Sequence, residues 1–519
     1  MARRVGSWTL VAILALSACG SPAPSASPAG PAPAAATTAA GASAPAAGSA
    51  SPAPTPSPPR PTGLQWTETG SIEVASLKVP LDYSNPAAGT ITLAVARQPA
   101  TDPAHRIGTL FVNPGGPGAR GVPLIGSAFL MMALPPEVLA RFDVVSWDPR
   151  GVGLSSGVTC PASTVVKAVE ALDPNPKPGE YGAFRTVFHD VAADCESSGS
   201  APILAYLSEA NSARDMDAIR AALGEDAITY VGWSYGTYLG YLYATMFPNR
   251  LRAAVLDGPV DPNLDLAARD ASQAKGFERA LRHLLALCAA KASCPFHGGG
   301  DPLSAYDRLI AGLPTTPAPG SAGTLTAGVA VTGTLSWLYG QDAAGLLVSL
   351  HLAESGNGDP LIASADSYYS DISLGSYEAT VCLDAAHPHT EAAIAGDVAE
   401  VRQDAPRFGP LVVLGDLYGC LDWPVPAAQV VVGAPPAGLP PIVVIASLWD
   451  PATPPWQAAP LAAALGTGVV LTRDGIGHTS GPSMESNACL RNAVASYLVA
   501  VIPPPPGTVC KDAPVALGS

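Results

Sequence analysis

Short apolar runs and helix-spaced apolar positions alternate along much of the chain beyond residue 63. Gly108-Thr109-Leu110-Phe111-Val112, Phe142 to Trp147, Ile228 to Val231, Arg252 to Leu256, Pro441 to Ser447 and Gly468 to Thr472 are near-continuous apolar stretches. That is the pattern of strands buried on both faces. Between them, Ala213 to Leu223 places Met216, Ile219 and Leu223 at helical spacing and stops at Gly224, and Trp456 to Leu465 reads as a further helix. Strands and helices alternating at this length predict a parallel sheet with helices on both faces. An opening hairpin is expected from Ile72 to Leu81 and Ile91 to Arg97, joined through the turn residues Asp82-Tyr83-Ser84-Asn85-Pro86.

From about Asp261 to Pro435 the alternation stops. Helical patterns such as Gln273 to Ala290 and Leu335 to Glu354 are broken there by Gly/Pro loops. A mostly helical insertion after a sheet strand is expected to cap a site, excluding water and supplying substrate contacts. Cys160 to Ala205 looks like a disulfide-pinned excursion. The expected organisation is a signal peptide at 1–18, a tether at 19–62, a core at 63–262 and 437–519, and a helical cap at 263–436.

Composition adds the compartment. Arg3 and Arg4 followed by apolar Val11 to Leu16 have the form of an export signal. Leu16-Ser17-Ala18-Cys19 resembles a bacterial lipobox, which implies that Cys19 is lipidated and becomes the mature N-terminus; an ordinary cleaved signal is the alternative. From Ser21 to Pro61 the chain is almost all Ala, Pro, Ser, Thr and Gly, too little to bury, so it reads as a tether. No other stretch reaches the ~18 consecutive apolar residues of a bilayer span, which leaves lipid as the expected membrane attachment. A net charge of -15 with 13% charged residues and no Lys/Arg cluster argues against a nucleic-acid partner.

Of the nine cysteines, eight remain beside Cys19, an even number in an exported chain. Proximity suggests Cys160 with Cys195, Cys288 with Cys294, Cys382 with Cys420, and Cys489 with Cys510, among many possible pairings. The histidines show no H-E-x-x-H or C-x-x-C partner, and His387-Pro388-His389 reads as a solvent loop, so neither metal nor cofactor is expected.

Chemistry enters at Ala227 to Phe247. The run Ile228 to Val231 meets Gly232-Trp233-Ser234-Tyr235-Gly236, and an aromatic-rich helical pattern follows at once. Strand, tight turn and helix around G-x-S-x-G make a nucleophile elbow, in which the glycines let the chain bend and the serine hydroxyl stands clear of the sheet. Ser234 is therefore the candidate nucleophile. A second match, Gly153-Leu154-Ser155-Ser156-Gly157, follows no strand directly and runs into Thr159-Cys160-Pro161, so Ser155 reads as a turn serine.

The strand at Gly108 ends in Asn113-Pro114-Gly115-Gly116-Pro117-Gly118, a loop with two readings. Gly116, Gly118 and Gly121 spell G-x-G-x-x-G, with Asp148 ending the next strand where a dinucleotide fold places a ribose acid. Against that, Pro117 removes an N–H where phosphate needs donors, and no second dinucleotide-type half follows. As an oxyanion loop, the glycines bring a backbone N–H to the carbonyl that serine attacks, with Gly115 or Gly116 and the Tyr235 N–H as donors. Asp148 and Arg150 are expected to form an ion pair bracing the site.

Asp450 stands just past the strand at Pro441, and His478 follows the next strand in Gly475-Ile476-Gly477-His478-Thr479. The order Ser, Asp, His is that of the α/β-hydrolase arrangement. In it His478 moves the Ser234 proton and Asp450 orients and stabilises the imidazole.

These motifs identify a resemblance. The Asn113 to Gly118 loop resembles the H-G-G-P-G loop of prolyl aminopeptidases, with Asn113 and an extra proline in place of the His-Gly start. Trp147 to Gly153 is similar to their D-x-R-G-x-G motif, and Gly232 to Gly236 to their elbow. The exported tripeptidyl aminopeptidase-like branch is the better likeness, through Tyr418-Gly419-Cys420-Leu421-Asp422-Trp423-Pro424, Asp450-Pro451-Ala452-Thr453-Pro454, Gly477-His478-Thr479, Asn487-Ala488-Cys489 and the closing Pro-Gly-Thr-Val-Cys at Cys510. It covers about Gly63 to the C-terminus. The resemblance implies a lipid-anchored, extracytoplasmic serine hydrolase that releases short peptides from free N-termini through an acyl-enzyme. Such an enzyme must bind an α-ammonium, for which Glu378, Asp384 and Asp422 near the Cys382–Cys420 pair are the candidates. An esterase on the same triad and a non-catalytic peptide-binding lipoprotein are the rivals.

Overall fold

The structure is a computed structural model that describes residues 63–161, 163–370, 373–427, 433–515 and 517. The expected signal peptide, Cys19 and nearly all of the tether lie outside the described residues. Ten strands form one sheet: β1 Thr67–Thr69, β2 Ile72–Pro80, β3 Thr90–Gln98, β4 Gly108–Asn113, β5 Phe142–Trp147, β6 Ile228–Trp233, β7 Leu251–Asp257, β10 Ile442–Trp449, β11 Gly468–Ile476 and β12 Val509–Lys511. A small separate hairpin supplies β8 Ala318–Gly320 and β9 Gly323–Leu325.

The strand order is β1-β2-β3-β5-β4-β6-β7-β10-β11-β12. The expected hairpin forms the antiparallel edge and every pair from β5 to β12 is parallel. This is the α/β-hydrolase fold. Register fixes the active edge: Asn113 pairs with Gly232, Trp233 with Asp257, and Asp257 with Ile445. The carboxyl ends of β4, β6, β7 and β10 therefore finish side by side, where open α/β sheets carry their sites.

Both sheet faces are covered because alternate residues of the same strands point opposite ways. Phe111, Tyr230, Ala254 and Val444 pack with Met216, Ile219, Leu239 and Leu461 from helices Glu209–Ala222, Gly236–Met246 and Ala458–Leu465. Leu110, Val112, Val231, Val255 and Ile445 meet Val138, Leu490 and Val494 from helices Pro136–Arg141 and Ala488–Ala500.

The insertion is helical apart from the β8–β9 hairpin and runs through helices Leu266–Ala289, Pro302–Gly312, Ala327–Tyr339, Ala343–Glu354, Asp359–Ser370, Leu374–Asp384, Glu391–Asp404 and Gly409–Leu421. The earlier excursion joins it in space: Phe184, Phe188 and Val191 of helix Gly182–Ser197 share a core with Val381, Leu414 and Leu417. Four disulfides form in the expected pairing, Cys160–Cys195, Cys288–Cys294, Cys382–Cys420 and Cys489–Cys510. Such bonds mark an extracytoplasmic protein. Among the described residues no helix is long and apolar enough to cross a membrane.

One expected contact is corrected. Arg150 pairs not with Asp148 but with Asp215, in a fully buried bidentate fork of 2.7 Å from Nε to Oδ2 and 2.6 Å from Nη2 to Oδ1. The Tyr83 hydroxyl also donates to Asp215 Oδ1, at 2.7 Å, and Arg150 Nη1 reaches the Leu81 and Tyr206 carbonyls at 3.0 Å each. A desolvated guanidinium needs all its donors used, and a helix facing it supplies the planar partner that Asp148 on the same turn does not. Asp148 instead ties two loops together, accepting the Val122 N–H and the Leu154 N–H at 2.9 Å each.

Candidate active site

The elbow forms as the spacing requires. Ser234 takes a left-handed φ of 57° between β6 and the helix Gly236–Met246. A Cβ on Gly232 would come within 2.3 Å of the Gly236 carbonyl oxygen, and one on Gly236 within 2.8 Å of Asn113 Oδ1, so only glycine fits at either position. Ser155, by contrast, is buried and its hydroxyl accepts the Ala94 N–H at 2.7 Å, a turn serine as read.

Asp450 is 1% exposed and fully engaged. Its Oδ1 accepts the N–H groups of Ala452 and Thr453 at 2.9 Å, and its Oδ2 accepts the Thr479 N–H at 3.0 Å and the Thr453 hydroxyl at 3.2 Å. His478 Nδ1 lies 2.8 Å from Oδ1 and 3.0 Å from Oδ2. A carboxylate only accepts, so this contact assigns the proton to Nδ1 and leaves Nε2 as an acceptor. Nε2 is buried and has no hydrogen-bond partner among the described residues.

The serine and the imidazole flank Asp257-Gly258. The Ser234 N–H donates to the Asp257 carbonyl at 2.8 Å, and a Cβ on Gly258 would lie 3.3 Å from His478 Cε1. A Ser234–His478 hydrogen bond is not among those formed. Such bonds tighten when substrate arrives.

The insertion braces the histidine. The His478 N–H donates to the Tyr339 carbonyl at 3.0 Å, and the Tyr339 ring stands edge-on to the imidazole at 5.3 Å. Arg473 holds the same loop from below, with Nη1 on the Thr479 carbonyl at 2.7 Å and Nη2 on the Ile476 carbonyl at 2.8 Å.

Gly115 packs against the elbow, where a Cβ would lie 2.8 Å from the Tyr235 nitrogen. Its own N–H is taken by Asn113 Oδ1 at 2.9 Å. Gly116 lines the Ser234 pocket together with Tyr235. Of the two glycines, only Gly115 donates its N–H to Asn113.

The three candidate acids do not line that pocket. Asp384 has its oxygens taken by the Glu209 N–H at 2.9 Å and the Tyr235 hydroxyl at 3.0 Å. Asp422 is part-exposed and pairs with Arg185 and with His189, the latter at 2.7 Å. Glu378 is buried beside the Cys382–Cys420 bridge and lines a neighbouring cavity.

The carboxylates that do share the Ser234 pocket are Asp270 and Asp416. Burial pushes the Asp270 carboxyl well above its usual range, and the Asp416 charge pushes it further. Burial likewise raises Asp416, whose Oδ2 accepts the Tyr377 hydroxyl at 2.8 Å. Asp270 Oδ2 is buried and accepts from no N–H or hydroxyl donor among the described residues, and the two carboxyls are hydrogen-bonded to each other, sharing a proton. The Arg269 guanidinium lies 3.8 Å from Asp270 Oδ1. Sequence reasoning missed both acids. The signal was an acid on an apolar face: Leu266, Asp270, Ala274 and Phe277 share one stripe, and Asp416 interrupts the apolar helix Gly409–Leu421.

Asp257, beneath Ser234, gives a pH test. Burial raises its carboxyl to about 6, against the pull of the Ser480 N–H and hydroxyl that it accepts. The unfolded chain titrates near 3.8, so the fold holds the proton more tightly. Its contribution to stability is full below pH 4 and is lost as pH rises to about 6. Asp257→Asn keeps an acceptor for the Ser480 N–H and does not titrate. Denaturant unfolding should show the variant gaining about 3 kcal/mol on the parent between pH 4 and pH 7. An offset that stays constant with pH would show that Asp257 is ionised throughout.

Residues 108–298 match the family described as alpha/beta hydrolase fold, and residues 405–510 the family described as TAP-like protein. The chain is 34% identical to "Serine protease Hip1" of Mycobacterium tuberculosis over 465 residues, covering 85% of this chain and 88% of that one. It is also 34% identical to "Carboxylesterase B" of Mycobacterium tuberculosis over 470 residues, covering 86% and 87%. To "Tripeptidyl aminopeptidase" of Streptomyces coelicolor it is 31% identical over 470 residues, covering 84% and 82%.

Proposed function

We propose a specific activity from one premise: this chain belongs to the TAP-like family of α/β-hydrolases and is a serine hydrolase. It is an exported aminopeptidase, held at the membrane by lipid on Cys19, that releases short peptides from free N-termini. Ser234 Oγ attacks the scissile carbonyl while His478 Nε2 takes its proton. His478 then gives that proton to the leaving amine, and a water activated by the same nitrogen hydrolyses the acyl-enzyme. Asp450 keeps the imidazole proton on Nδ1 and stabilises the imidazolium. The N–H groups of Gly116 and Tyr235 receive the oxyanion.

The observation that favours a peptidase over an esterase is the buried Asp270–Asp416 carboxyl pair, hydrogen-bonded to each other in the same pocket as Ser234. Such a pair can give up its shared proton to bind a cation, and the α-ammonium is the cation that every unblocked peptide carries. Because Asp270 and Asp416 share the pocket with the nucleophile, only a short acyl segment separates ammonium from scissile bond. A neutral ester has no group to satisfy them.

The test compares free and N-acetylated tripeptidyl amides with p-nitrophenyl esters. The free peptides should be turned over best, with acetylation lowering kcat/KM by about 10- to 100-fold. In Asp270→Asn and Asp416→Asn the two peptide series should converge, chiefly through KM. Good ester turnover with no response to acetylation would replace the aminopeptidase with a carboxylesterase.

A further inference from the structure

A second cavity adjoins the Ser234 pocket and is given no role by the triad or by ammonium binding. Its apolar wall includes Phe184, Phe188, Leu335, Leu411 and Val412. Gln273, Tyr377 and Asp416 line both spaces, so the two share a wall at Asp416. We infer that this cavity receives a large apolar side chain on the residue that bears the substrate's free α-ammonium, so that the enzyme selects peptides beginning with a leucine-, phenylalanine- or tryptophan-like residue. This rests on the aminopeptidase reading above.

Two features carry it. An α-ammonium and a β-carbon hang from one atom, so an ammonium held at the shared wall by Asp416 sends its side chain into whatever space adjoins that wall. The adjoining space is apolar, and filling it removes hydrocarbon surface from water.

Glu378 stands in the cavity wall and Asp416 at the junction, so the otherwise apolar space carries two carboxyl groups, one of them at the wall it shares with the Ser234 pocket. The cavity is also separate in origin from the chemistry. Phe184 and Phe188 come from one face of helix Gly182–Ser197, Leu335 from helix Ala327–Tyr339, and Leu411 and Val412 from helix Gly409–Leu421, whereas Ser234 stands on the sheet. Specificity can therefore change without disturbing the elbow.

Gly415 offers the test. It lines the cavity, and a Cβ built on it meets only Phe188 Cζ, at 4.0 Å, so a larger side chain enters the space without striking backbone. Its helical position suits leucine better than glycine. The probes are Xaa-Ala-Ala-7-amino-4-methylcoumarin with Xaa as Gly, Ala, Leu, Phe or Trp, each free and N-acetylated. The parent should prefer free Phe over free Gly by about tenfold or more in kcat/KM. Gly415→Leu should lower that ratio by about tenfold, and Gly415→Ala by less, with thermal melting confirming the fold of each.

If free peptides are preferred over acetylated ones but Xaa makes no difference, the cavity assignment falls and the aminopeptidase stands. A preference for large Xaa that survives in folded Gly415→Leu also overturns it. Equal cleavage of free and acetylated peptides removes both readings at once. A chain-length preference among p-nitrophenyl esters that Gly415→Leu abolishes, without any effect of Xaa, would give the cavity to an acyl chain instead. The parent series decides the matter by itself if the variant fails to fold.

Discussion

Ser234→Ala removes turnover, with kcat falling by about 10⁵- to 10⁶-fold and fluorophosphonate labelling lost. The hydroxyl of Thr237 on the elbow helix is committed to the Ser234 carbonyl at 2.7 Å, and Ser155 is buried in another turn with its hydroxyl accepting the Ala94 N–H. The protein should remain folded. Alanine meets the same left-handed backbone demand as serine at φ 57°, and the Ser234 N–H keeps its bond to the Asp257 carbonyl. A melting temperature close to the parent's, together with lost labelling, would place the defect in chemistry rather than in folding. Label that persists on Ser234→Ala would move the nucleophile elsewhere and undo the assignment of the site.

The second large effect is Asp450→Asn, for which kcat should fall by about 10⁴-fold with KM little changed. The reason is the imidazole proton. Asp450 presents two acceptor oxygens to His478 Nδ1, Thr453 and three backbone N–H groups. An asparagine keeps one acceptor and turns an N–H₂ toward the remaining donors. Either His478 rotates its proton to Nε2, where it can no longer accept from Ser234, or a donor faces a donor in a site 1% exposed. Both arrangements also cost stability, about 1–3 kcal/mol by the usual scale of unmet buried donors. Stopped-flow acylation and denaturant unfolding separate the two losses. Activity within tenfold of the parent would reduce Asp450 to a bracket for the loop.

The predicted triad residues thus reach one edge, but unequally. The Asp450–His478 half is complete at 2.8 Å, whereas the Ser234–His478 bond is still to form. The insertion contributes to the part that is complete, since Tyr339 holds the His478 N–H. A segment expected to exclude water and supply substrate contacts also holds the backbone of the loop that carries His478.

What could be read from residues alone was whatever has a short-range cause. A glycine-serine-glycine turn between a β-branched run and a helical pattern announces an elbow because the bend is steric and local. The parallel sheet followed from apolar runs, and the four disulfides from cysteines near one another along the chain. The order of Ser234, Asp450 and His478 carried the rest of the triad, since each follows its own strand.

What only the tertiary structure decided depends on which surfaces meet. Arg150 looked to Asp148 two residues away, yet its partner Asp215 is 65 residues further along and arrives on a packed helix. That Asn113 Oδ1 accepts the Gly115 N–H is likewise a matter of how the loop folds back on itself. Asp270 and Asp416 became a pair in the Ser234 pocket only when two helices far apart in sequence came together, while Asp384 and Asp422 found other partners. An acid on a helix has the same local pattern whether its face meets solvent, a guanidinium or a cavity. The neighbour that settles its role is chosen by long-range packing, and no window along the chain contains it.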